Sequence, residues 1–151
     1  MKIAITQGKF VLVDRCDEWL IKQFKWHARF DGYNWYAGAF PRGCGNRSQH
    51  IVMHRLLAGF PPFHLDHQNG NGLDNRRRNL RPASGTQNQG NTKKRCDNSS
   101  GFKGVYKRGK KWIAQIGTKP RKHLGVFDTA FAAHQVYRRA AKQYFGEFVR
   151  V

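Results

Sequence analysis

The chain of 151 residues suffices for one ordinary domain or two small ones, and excludes a large multilayered enzyme. Hydrophobic content of 39% and aromatic content of 13% exclude a disordered chain. Its 28 Lys and Arg against 9 Asp and Glu give a net charge of +19, a self-repelling excess that calls for a polyanion: nucleic acid first, an anionic membrane surface second.

No apolar run has the length of a bilayer span and no signal-type apolar segment follows Met1, so a cytoplasmic, intracellular protein without a membrane partner is expected. Cys16, Cys44 and Cys96 are odd in number and lack a C-x-x-C pair, the pattern of neither a disulfide framework nor a zinc ribbon. Reduced cysteines, some of them buried, are expected.

Taken in chain order, 3–6, 10–13 and 34–40 read as strands. Between the second and third, "DRCDEWLIKQF" reads as a short helix with Asp14 as cap and Trp19, Leu20 and Phe24 on one face. Trp19, Phe24, Trp26, Phe30 and Trp35 are expected to form the core of this segment. "MHRLLAGFPPF" predicts a second helix, stopped at Gly59 and the two prolines. "RCDNSSG", 95–101, is polar and turn-forming and reads as a linker. Beyond it, "GFKGVYKR", "KWIAQIG" and "KHLGVF" predict three short antiparallel strands. "DTAFAAHQVYRRAAKQYFGEF" predicts a helix capped by Asp128 or Thr129, stopped at Gly146, and buried along Ala133, Val136, Tyr137, Ala140, Ala141 and Tyr144. That helix covers one face of the small sheet and leaves the other open.

The charge is concentrated. From Arg76 to Lys122 there are fifteen Lys or Arg (76, 77, 78, 81, 93, 94, 95, 103, 107, 108, 110, 111, 119, 121 and 122) against the single acid Asp97. The first forty residues hold six against four acids. Like charges at that density destabilise a merely soluble face and suit a surface that follows a polyanion.

At the start of the basic stretch stands "LDHQNGNGLDNRRRNLR". Hydrolysis of a phosphodiester needs a base for water and a cation for the charge that builds on the phosphate. An imidazole near neutrality suits the first and a hard carboxylate ligand such as Asp66 helps hold the second. Adjacent strand residues point to opposite faces, so Asp66 and His67 meet one site only if the strand twists or the phosphate lies between them. The competing reading is an Asx-rich turn whose side chains bond their own backbone.

This stretch, with "TQNQGN" after it, resembles the HNH endonucleases, in particular the phage and intron-encoded homing branch, whose catalytic unit is the ββα-metal fold. The resemblance implies His67 as general base and Asp66 as first metal ligand. It makes Asn79 the asparagine that braces the catalytic loop and Asn88 the last ligand, an asparagine where many members have histidine. It further implies one Mg²⁺ or Mn²⁺ per site, and gives Arg76, Arg77, Arg78 and Arg81 the task of holding phosphates. His54 and His64, close in sequence, are not taken as ligands.

The C-terminal third, with F-K-G-V, W-I-A-Q-I and H-L-G-V-F-D-T-A, is similar to the apetala/ethylene-response-factor DNA-binding domain. That resemblance implies that the open sheet face lies in the major groove, with Lys103, Tyr106, Arg108, Gln115, Arg121 and His123 toward DNA. Trp112 is expected to support the sheet.

The fold expected is therefore α+β: a ββα-metal nuclease module with an N-terminal extension over 1–94, then a three-stranded antiparallel sheet plus helix over 99–151. The function expected is metal-dependent, site-preferring cleavage of double-stranded DNA by a phage-type, monomeric, nicking enzyme. A non-catalytic DNA-binding regulator that keeps the nuclease fold is the alternative. An RNA-binding protein fits the charge alone.

Overall fold

The computed structural model describes residues 1–41, 49–95, 97–117 and 120–150. Cys44, Cys96 and Lys119 lie outside the described residues; Cys16 is a free, exposed thiol. Among the described residues the chain is α+β, with small antiparallel sheets and four α-helices. It divides into two compact units, Met1–Ala83 and Ser84–Val151.

In the first unit, β1 (Lys2–Ala4) and β2 (Phe10–Leu12) pair antiparallel across a turn in which Gln7 and Gly8 both take positive φ. A 3-10 turn (Arg15–Asp17) runs into α1 (Glu18–Ile21). Asp14 precedes the turn without capping it; its carboxylate instead accepts the Arg77 backbone N–H at 2.8 Å. Three strands follow, β3 (His27–Phe30), β4 (Trp35–Ala39) and β5 (Ile51–Val52), then α2 (Met53–Leu57), which ends at Gly59 with φ +72°.

The core is Val11, Val13, Ile21, Trp26, Ala37, Ala39, Met53 and Leu57, with Leu20 and Phe24 packed at its margin. Trp26 is inside as expected, its indole N–H bonded to the Ile21 carbonyl at 2.9 Å. Trp19 and Phe30 are not: they are 68% and 51% exposed. A helix of one turn buries a single position well, and Ile21 takes it. The small residues Ala37 and Ala39 then let the sheet approach closely, leaving no volume for further large rings.

The chain then forms a hairpin of β6 (His64–His67) and β7 (Leu80–Ala83), with Asp66 opposite Arg81 and His67 opposite Leu80. The arginine run makes one 3-10 turn, Arg77–Asn79.

The second unit opens with α3 (Gly85–Asn91), started by a capping box in which Ser84 and Gln87 satisfy each other's backbone N–H groups. The sheet expected from the sequence follows as β8 (Val105–Arg108), β9 (Lys111–Ile116) and β10 (Lys122–Phe127), in the order β10-β9-β8. The closing helix α4 (Ala130–Phe145) is capped by the Thr129 hydroxyl, while Asp128 pairs with Lys111. Gly146 ends it at φ +57°. The fully buried stripe is Ala133, Tyr137, Ala141 and Phe145, a run of four-residue steps. Tyr144, expected within it, is 50% exposed, because the face that meets the sheet turns onto its neighbour Phe145.

Two glycines record how closely α3, α4 and the sheet approach. A Cβ on Gly90 would lie 2.7 Å from the Phe145 ring, and one on Gly104 2.1 Å from the Tyr137 ring. The tail closes on α3 as well, Arg150 donating its backbone N–H to the Gly90 carbonyl at 3.1 Å. Thus α3, read from the sequence as part of the first module, packs within the second unit. A fragment of 84–151 is expected to melt several degrees above one of 96–151, which exposes the Phe145 surface that α3 covers; about 1 kcal/mol corresponds to ~4–8 °C in a domain of this size. Circular dichroism melts of the two fragments check this, and coincident curves would make α3 irrelevant to the unit.

Candidate functional site

Asp66 and His67 end β6, and both are buried, at 8% and 6% exposure. As neighbours on a strand they take different partners. The Asp66 carboxylate receives both Nε and Nη2 of Arg81, its cross-strand neighbour, at 2.9 Å each. The His67 ring turns to the loop, where its Nε2 lies 3.3 Å from Asn75 Oδ1. With the Asn75 oxygen toward the ring, this contact is a hydrogen bond in the tautomer that carries its proton on Nε2 and its lone pair on Nδ1. Burial pushes the His67 pKa below the ordinary histidine value, while the Asn75 bond and the charges of Asp66 and Asp74 push back. The ring is therefore neutral near pH 7, the form a general base requires.

The loop between the strands is held by its own polar side chains. Asn79 Oδ1 accepts the Asn69 backbone N–H at 3.0 Å. Asn79 Nδ2 donates to the Asn69 side chain at 3.1 Å and to the Asp74 carbonyl at 2.7 Å. The Asn79 carbonyl takes the Gln68 N–H at 2.8 Å. One side chain thus ties both ends of the loop. Asn69 and Asn71 bond backbone groups two residues on, forming the Asx turns that were the competing reading of the motif. β2 fastens the far side, since Leu12 accepts from Asn75 N and donates to the Leu73 carbonyl, both at 2.8 Å.

Three of the four arginines expected to hold phosphates have acidic partners inside the unit. Arg76 makes a two-point pair with Asp74, whose carboxyl it holds below the usual carboxylate range. Arg77 also makes a two-point pair, with the buried Asp17, and Arg81 puts two nitrogens on Asp66. Arg78 is exposed and has no acidic partner among the described residues. The physical reason is desolvation: Asp17, Asp66 and Asp74 are buried and each needs a cation.

Several residues of the site were not singled out from the sequence. Asn75 and Asp74, both 1% exposed, stand in "LDNRRR", where an acid and an amide just before arginines were the available signal. His54 is the other. Its ring meets the His67 ring edge-on at 5.0 Å, with Tyr36 5.9 Å from it and 5.8 Å from His67. Burial brings the His54 pKa down to about 3, and its Nδ1 is buried without a hydrogen-bond partner. A histidine within "MHRLL", among two leucines and a methionine, was its sign.

Asn88 lies on α3, in the second unit. Among the described residues no three His, Cys, Asp or Glu side chains gather as a metal cluster. Asp66 in the first unit offers a hard carboxylate oxygen, a donor whose chemistry fits Mg²⁺ or Mn²⁺.

In the second unit, strand pairing puts Tyr106, Ile113 and Val126 in one row across the sheet, with Gln115 opposite His123 and Arg108 opposite Lys111. All of these share one face. Val105 and Ala114, with Trp112 and Phe127, share the other. Tyr106, Arg108, Arg121 and His123 are exposed and Gln115 is half-buried. Lys103, expected on the DNA side, turns inward. Its ammonium donates to the carbonyls of Gly90, Thr92 and Arg150 at 2.6, 2.7 and 3.1 Å, and burial lowers its pKa to about 8. The carbonyls left over at the end of α3 attract it.

Comparison with known protein families, curated proteins and solved structures finds no match for this chain.

Buried His67 and partly buried His54 set a pH dependence of stability. Their folded pKa values lie below the unfolded value of 6.5, so the unfolded chain binds protons first as pH falls. Stability is expected to be full above pH 6.5 and to fall below it, down toward pH 3 for His54, with a limiting slope of about 1.4 kcal/mol per pH unit for each group. Urea unfolding of wild type and His54→Phe between pH 7 and 4 tests the sign. The variant should lose less stability on acidification, and an equal loss would mean that His54 carries no such penalty.

Proposed function

We propose that the protein is a metal-dependent HNH-type endonuclease that hydrolyses a phosphodiester bond of duplex DNA, with the open sheet face of its second unit supplying site preference. One observation carries the reading: a buried imidazole in contact with Asn75 through Nε2, adjacent in the chain to a buried carboxylate, at the end of a loop braced by a single asparagine. The resemblance of "DHQNGNGLDNRRRNLR" to the HNH motif supplies the roles.

In this mechanism His67 accepts a proton from water at Nδ1 while Asn75 keeps the ring oriented through Nε2. His54 and Tyr36 crowd the ring, and its burial keeps it neutral until it takes that proton. Asp66, steadied by Arg81, would hold the divalent ion. When bound, that ion neutralises charge that develops on the phosphate and leaving oxygen. Asn79 acts by positioning, through the backbone on both sides of His67. Arg78 and the basic sheet face contact phosphates, and Tyr106, Gln115 and His123 stand where base edges would be read.

Purified protein incubated with supercoiled plasmid should cut with Mg²⁺ and not with EDTA. His67→Ala should lower the rate by about 10²–10⁴-fold while leaving DNA affinity near wild type. Cleavage by the variant at the wild-type rate would remove His67 as the base. The sequence holds one Asp66–His67–Asn79–Asn88 set, so one chain attacks one strand per engagement. Open circles should therefore accumulate before linear DNA in the time course. Linear product from the first time point, with no nicked intermediate, would instead require paired active sites.

A further inference from the structure

Beside the open sheet face the second unit has a cleft of about 600 Å³. One wall is the sheet, through Tyr106 and Gln115, with Arg121 from the β9–β10 connection. The other is the segment after α3, with Lys93, Lys94 and Arg95. None of the described lining residues is acidic. Lys93 and Arg121 are exposed and have no acidic partner among the described residues. Lys94 bonds the Gly101 carbonyl at 3.2 Å, and Arg95 is paired with Asp97 at the rim.

The segment that makes the second wall is a built part of the unit. Lys103 gathers the carbonyls at its start, as described above. At its end Asn98 Nδ2 bonds the Phe102 carbonyl at 2.9 Å, and the Ser100 hydroxyl meets the carbonyls of Phe102 and Val105 at 3.0 and 2.8 Å. These bonds hold three consecutive cations against a fourth from the sheet. Such a concentration of one sign costs free energy unless an anion enters, and low-dielectric walls focus the field into the cleft.

We infer that this cleft is a phosphate-binding groove that grips the DNA backbone next to the base-reading sheet face, with Lys93 and Arg121 as its principal contacts. The inference rests on the reading of the protein as a duplex-DNA binder, and adds a backbone clamp built by residues 92–95. A backbone contact carries no base information, so it strengthens binding to every sequence alike. Tyr106 and Gln115 line the cleft and also stand on the open sheet face, so one strand's backbone in the cleft puts its bases beside the reading side chains.

The test uses the full chain and two 20-bp duplexes of unrelated sequence, with affinity followed by fluorescence anisotropy from 50 to 300 mM KCl. A Lys93→Ala/Arg121→Ala variant should bind both duplexes more weakly by the same factor, and its log–log salt slope should be shallower by about 1.8, since each lost phosphate contact removes about 0.9. A charge-matched Lys22→Ala/Lys25→Ala variant, altered in the first unit, should keep the wild-type slope. Thermal melts serve as a check on folding, because both cleft residues are exposed and should leave the melting temperature unchanged. A cleft variant with the slope of the charge-matched control overturns the groove and leaves the DNA-binding reading standing. Wild-type protein that binds neither duplex at low salt overturns both.

Discussion

The asparagine side chain at position 79 is the constraint on which the candidate site depends. It is buried, and its amide makes three bonds, to the Asn69 backbone, the Asn69 side chain and the Asp74 carbonyl. Those bonds close the loop from 68 to 78, and with it the position of Asn75, which sets the tautomer of His67. Replacing this amide would strand a buried donor and a buried acceptor, each at a cost of about 1–3 kcal/mol. No apolar residue could do the same work, since the loop ends meet through backbone polar groups and not through apolar surface.

Electrostatics divides the molecule unevenly. In the first unit Asp17, Asp66 and Asp74 are buried, and each holds an arginine from the run 76–81. Buried carboxylates are stable only when paired, so these arginines are committed to the fold before any ligand arrives. The second unit has few acids to set against its lysines and arginines, and its exposed ion pairs, Lys111–Asp128 and Arg95–Asp97, are of the weak surface kind. The uncompensated charge thus lies around the small sheet and the segment before it. Lys103 is the exception, its ammonium turned inward onto the carbonyls of Gly90 and Thr92 at the end of α3 and of Arg150 in the tail.

Much of the second unit was legible in the sequence. Three runs of alternating residues and one helix with its cap and glycine stop became β8, β9, β10 and α4, because short strands and a single amphipathic helix follow local periodicity. The first unit was less legible. Its helices of four and five residues have too few turns to show a face, so Trp19 read as core and is exposed, while Ile21 is buried. Strand β5, two residues long, was not anticipated.

The sequence by itself determined the residue types of the site and their order: a carboxylate, an imidazole and an asparagine at the two ends of a polar loop, followed by arginines. It also determined the excess charge, which no fold removes. Only the tertiary structure decided which polar groups are buried together. It brought His54 and Tyr36 against His67, assigned Asn75 to Nε2, paired three arginines with acids up to sixty residues away, and placed α3 beside α4. The physical reason is that periodicity and turn chemistry act between near neighbours. Desolvation acts on whatever the chain brings together, and it sets the charge state of His54, His67 and Lys103 through contacts that no local pattern encodes.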